Sequence, residues 1–65
     1  MNLKELSRIL SKEYYLSKTL SNHILNTILK TISTELKQGH IVRLRNFGTF
    51  SARKSHGKLI AKFDD

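Results

Sequence analysis

The sequence predicts an α+β fold in which two N-terminal helices are followed by a three-stranded antiparallel sheet. Three observations support this. Apolar residues recur at helical spacing from Leu3 to Leu36, then alternate with polar ones after Gly39. The three glycines, Gly39, Gly48 and Gly57, fall where elements should end. No repeat, linker or low-complexity tract interrupts the chain, so residues 1–65 read as one domain.

The first helix opens on Asn2, a good N-cap, with Glu5 at the third helical position in a near capping box. Leu3, Leu6, Ile9 and Leu10 share one side, and Lys4, Glu5, Arg8 and Lys12 the other. The pattern should end near Glu13–Tyr15. Ser17 caps a second helix, whose apolar stripe is Leu20, Ile24, Leu25, Ile28, Leu29, Ile32 and Leu36. Lys37 lies in its last turn and Gly39 stands where a left-handed C-terminal cap belongs. The helix should run about 21 residues, or roughly 30 Å. One short partner helix cannot cover such a stripe, so a second copy of the chain is expected to cover it.

Beyond Gly39 the period becomes two. Ile41, Arg43 and Arg45 alternate with Val42 and Leu44, which face inward while the arginines face outward. Asn46 and Gly48 flank Phe47, and both residue types tolerate positive φ. A tight turn there carries Phe47 into the core and starts a second strand from Thr49. His56-Gly57 is the next turn. A two-residue loop pairs Phe50 with Phe63, Ala52 with Ala61, Arg53 with Ile60, Lys54 with Leu59 and Ser55 with Lys58. Phe50, Ala52, Leu59, Ala61 and Phe63 then share one face, and Ser51, Arg53, Lys58, Ile60 and Lys62 the other.

A 65-residue chain is marginally stable alone and needs a reinforcing device. Disulfides and thiolate metal sites are excluded because there is no cysteine. His23, His40 and His56 show no ligand spacing, so neither metal nor cofactor is expected. Oligomerisation remains. No apolar run approaches membrane length, and the N-terminus lacks the apolar core of a secretory signal. A soluble, intracellular protein without a membrane partner is therefore expected. Catalysis is not. Glu5, Glu13, Glu35, Asp64 and Asp65 form no recognisable pair with a histidine, and no phosphate loop or nucleophile elbow occurs. The many serines read as caps and turn residues.

Charge carries the functional signal. Twelve Lys and Arg against five Asp and Glu give +7, a strong field for polyanions. Arg43, Arg45, Arg53, Lys58 and Lys62 fall on the outer face of the sheet, with Lys54 and Arg8 near its rim. Arginine makes forked contacts to phosphate oxygens, and a row of cations on a sheet suits a duplex backbone. The blander alternative is that these are solvated strand positions keeping edges soluble. The near absence of acids between Gly39 and Asp64 favours a polyanion. Charge alone leaves RNA and anionic lipid as rivals to DNA. Base stacking by Phe47 and Phe50 is disfavoured, because their parity places them with the apolar residues.

Several segments together resemble the HU/IHF family of bacterial DNA-architectural proteins. They are Met1–Leu6, Leu16-Ser17-Lys18, Gly39 with Val42 and Leu44, and above all Asn46-Phe47-Gly48-Thr49-Phe50. The likeness is colinear from Met1 to about Lys54, and Asn46 is the one departure from the family's GFGTF or GFGSF motif. Phe63 is similar to a later phenylalanine of the family. The resemblance implies an intertwined dimer with a shared apolar base of Leu25, Ile28, Leu29, Ile32, Leu36, Leu44, Phe47, Phe50 and Phe63. Above that base, a β-saddle would receive double-stranded DNA. Arg43, Arg45, Arg53, Lys54, Lys58 and Lys62 would meet phosphates, and the backbone at Asn46 and Gly48 would approach closely. A nucleoid-associated homodimer in the cytoplasm is the leading expectation. The alternative is a module pairing with a full-length relative to modulate its DNA bending. Ser51–Lys62 allows only a short hairpin, the chain has no proline, and it stops at Asp65. The family's long arm, its proline wedge and its third helix are therefore not expected, nor is strong bending.

Overall fold

The computed structural model describes residues 1–65. It contains helices α1 (Leu3–Tyr14) and α2 (Lys18–Lys37) and strands β1 (Val42–Leu44), β2 (Gly48–Ser55) and β3 (Lys58–Asp64). The strands form one antiparallel sheet in the order β1-β2-β3. The expected element order and fold class are those observed.

Local chemistry accounts for each boundary. The Asn2 side-chain oxygen accepts from the Glu5 N–H at 3.0 Å, and Ser17 Oγ accepts from Leu20 N–H at 3.0 Å. α1 closes on Tyr15, a left-handed residue at φ 57°, whose N–H donates to the Ser11 carbonyl. The Leu16 N–H reaches the same carbonyl at 2.9 Å, and Ser11 Oγ donates to the Leu16 carbonyl. These bonds hold a backbone region that disfavours side chains by about 1–2 kcal/mol. α2 ends as expected, with Gly39 at φ 83° and the His40 N–H donating to the Glu35 carbonyl at 3.0 Å.

The hairpin register is the one the side-chain pattern demands, from Ser55 opposite Lys58 to Phe50 opposite Phe63. His56 at φ 52° and Gly57 at φ 78° make both turn residues left-handed, as a type I′ turn requires. In the first turn, Phe47 N–H donates to the Leu44 carbonyl at 3.0 Å and Asn46 has φ 65°. Gly48 does not share that left-handed geometry. Its need is for space. A Cβ there would lie 2.7 Å from the Asp64 carbonyl oxygen and from Cε1 of Phe63.

α2 is the centre of the molecule, packed against α1, β1 and β2. Few residues are enclosed by the single chain. Leu36 is the one buried apolar side chain, joined by Ser7 and Ser21. This corrects the reading of the serines: Ser17 does cap, but Ser7 and Ser21 are inside. Their small size suits closely approaching helices. Ser21 Oγ has no hydrogen-bond partner, an arrangement that typically costs about 1–3 kcal/mol. Meanwhile, Leu36 apart, the residues expected to form a shared base are open or only half-covered. Ile28 is 49% exposed, Leu29 50% and Phe47 60%. Leu44 and Phe63 are also exposed, and Leu25, Ile32 and Phe50 only half-buried.

Candidate nucleic-acid interface

The sheet separates two chemistries. Cross-strand partners share a face, and residues two apart along a strand do too. The pairs Val42 with Phe50, Phe50 with Phe63, Ala52 with Ala61 and Lys54 with Leu59 define one side. Here the rings of Phe47, Phe50 and Phe63 form a triangle. Their centroids are 4.8 Å apart for Phe50–Phe63, 5.2 Å for Phe47–Phe63 and 6.3 Å for Phe47–Phe50. The tilted geometry is the favourable one for aromatic quadrupoles.

The opposite side carries Arg43 with Thr49, Ser51 with Lys62, Arg53 with Ile60 and Ser55 with Lys58. Four cations thus stand on one face among three hydroxyls. The acid Asp64 sits across from Thr49, at the end of β3 remote from the turn. Arg45 lies in the turn just beyond β1, at the same parity as Arg43. All five cations are exposed and none is held in an ion pair. Such groups keep their full charge available to a polyanion. The cationic donors of this face are spaced along all three strands.

Lys54 pairs with Leu59 as the expected register has it, off the row of Arg53 and near the hairpin end. One position falls elsewhere than the sequence reading placed it. Arg8 is not at the rim of the sheet. It lines a cleft of about 350 Å³ between the helices with Lys4, Glu5, Ser7, Lys18 and Asn22. The spacing explains this. Lys4 and Arg8 are one turn apart on α1, as are Lys18 and Asn22 on α2, so two ridges of polar side chains face one groove. The hydroxyls of Thr49 and Ser55 are further members of the cationic face. Strict alternation along β2 was the signal that could have found them.

Outside this face the polar chemistry is sparse. The one ion pair joins His40 Nδ1 to Glu35 Oε2 at 3.4 Å, at the end of α2. No cluster of His, Asp and Glu has the arrangement of a metal site. No helix is long and apolar enough to cross a membrane.

Known proteins match both sequence and fold. The family model described as bacterial DNA-binding protein matches residues 1–63. DNA-binding protein HU-beta 2 of Neisseria meningitidis is 38% identical over 55 residues, which are 85% of this chain and 60% of that protein. DNA-binding protein HU of Buchnera aphidicola is 39% identical over 59 residues, 91% of this chain and 64% of the relative. The chain therefore spans less than two thirds of the length of these relatives. Among solved structures, a mutant of HU from Thermotoga maritima superposes with a TM-score of 0.85 at 36% identity. That match covers 98% of this chain and 86% of the other.

Proposed function

This chain belongs to the family of bacterial DNA-binding proteins that includes HU, and from that premise we propose that it binds double-stranded DNA as a small, non-enzymatic architectural dimer. The observation that carries the reading is the segregation of the sheet. Arg43, Arg53, Lys58 and Lys62 share one face, and the three phenylalanines lie with the other. The aromatic side, continued by Ile28, Leu29 and Ile32 of α2, is the surface that a second copy covers. Leu25 and Leu44 complete this base, and Leu36, already buried within the chain, packs beneath it. The cationic side, with Arg45 at its end, meets phosphates. Lys54 and the backbone at Asn46 and Gly48 are contacts at the margin. The whole chain acts as one DNA-binding and dimerisation domain in the nucleoid.

Phosphate contacts position a duplex without reading its bases, so affinity is tolerant of sequence. It comes largely from release of condensed counterions, and its logarithm falls linearly with the logarithm of salt concentration. Four to five cations per chain, doubled in a dimer, support a slope of about −7 to −9 when all of them meet phosphates. Titration of a labelled duplex at a series of salt concentrations tests this. A steep linear decline is expected. A flat response would overturn the proposal. Competition with duplex RNA and anionic vesicles identifies the preferred polyanion, and DNA is expected to compete best. The rival reading, pairing with a longer relative, is favoured if mixing yields heterodimers and the homodimer fails to bind duplex.

A further inference from the structure

Within the strands, one large apolar side chain stands on the cationic face. Ile60 pairs with Arg53 across the hairpin and has Lys58 and Lys62 two residues away on its own strand. It is therefore ringed by positive charge. It is also 45% exposed, whereas Val42, Leu44, Phe50, Leu59 and Phe63 all take the aromatic side. No other large apolar residue interrupts the cations within the strands. A β-branched residue suits a strand, but threonine would serve that purpose without presenting bare hydrocarbon.

We propose that Ile60 supplies a non-ionic contact to the sugar edge of the DNA groove and so favours duplex DNA over duplex RNA. The inference rests on the cationic face being the nucleic-acid surface. Surrounding cations fix the phosphates, and the isoleucine then packs against the apolar carbons of the deoxyribose rings between them. In RNA the same wall carries a 2′-hydroxyl, which projects into the wide minor groove. Burying isoleucine against that hydroxyl displaces its water without a replacement hydrogen bond. The cationic contacts do not distinguish the two polymers, because phosphates are common to both. Their contribution weakens with salt, while that of Ile60 does not. Discrimination between DNA and RNA should thus persist as salt rises.

Ile60→Thr and Ile60→Val test the assignment. The two replacements are nearly the same shape and both suit a strand, so they differ chiefly in one hydroxyl. Dissociation constants are measured for a DNA duplex and an RNA duplex of the same sequence over a salt series. The threonine variant is expected to lose about tenfold in DNA affinity with an unchanged salt slope. RNA affinity should stay within about twofold for both variants, and the valine variant should lose no more than about fourfold in DNA affinity, the cost of one methylene. Equal losses for DNA and RNA, or retained DNA affinity in the threonine variant, would overturn the proposal. So would a change in its sedimentation mass, which would place Ile60 between chains. A flat salt slope for the unaltered protein is a different result, since it removes the cationic face itself as the binding surface.

Discussion

Exchanging Arg43, Arg45 and Arg53 for glutamate is expected to abolish duplex binding while leaving helix and sheet content intact. All three side chains are exposed and make no ion pair in the fold, so their loss unpacks nothing. The net charge of each chain falls from +7 to +1, two units per exchange. Three lost phosphate contacts remove about 2.7 from the salt slope per chain, and affinity near 0.1 M salt should drop by more than ~10³-fold. Reversal also turns attraction into repulsion at the same places. The informative control is an equal charge change on the helices, with Lys12, Lys30 and Lys37 replaced by glutamate. That variant has the same net charge but an intact sheet face, and should bind far more tightly than the arginine variant. Equal losses in the two variants would show that overall field, rather than this face, governs binding.

The second large effect concerns stability. Gly48→Ala is expected to destabilise the fold by about 2 kcal/mol or more. A methyl at this position meets the Phe63 ring and the backbone oxygen of Asp64, and the backbone atom cannot swing aside. Relief requires β3 to move away from β2, which opens the aromatic triangle. Gly39→Ala is the useful comparison. Its φ of 83° strains any side chain, yet nothing lies within 4 Å of the added methyl. That variant should lose only about 1 kcal/mol, from backbone strain alone. Denaturant midpoints at one fixed protein concentration measure both. A Gly48→Ala midpoint equal to the parent's would show that the close approach of Phe63 is not a requirement of the fold.

Much of this architecture is legible in the residues because each level of pattern agrees with the next. The Phe50–Phe63 pair, the alternation after Gly39 and a two-residue turn at His56-Gly57 all demand one register, and that register is present. Caps at Asn2 and Ser17 mark helix starts through local hydrogen bonds, which depend on nothing distant. What was illegible depends on contacts between elements. Gly48 looks like a turn glycine until β3 is laid against it. Ser7 and Ser21 look like surface residues until α1 packs on α2. Arg8 could be assigned to the helical cleft only once the ridges of both helices were placed side by side. The alternation along β2 and β3 was readable too, including the parity that pairs Lys54 with Leu59 and takes it out of the row of Arg53.

DNA binding of the kind proposed requires a second chain to cover the open side of α2 and the aromatic triangle. Sedimentation equilibrium of the purified protein at micromolar concentration tests this most directly. The expected species has twice the chain mass of 7.5 kDa, with a denaturation midpoint that rises with protein concentration. A 7.5 kDa monomer that unfolds cooperatively at the same dilution would contradict it.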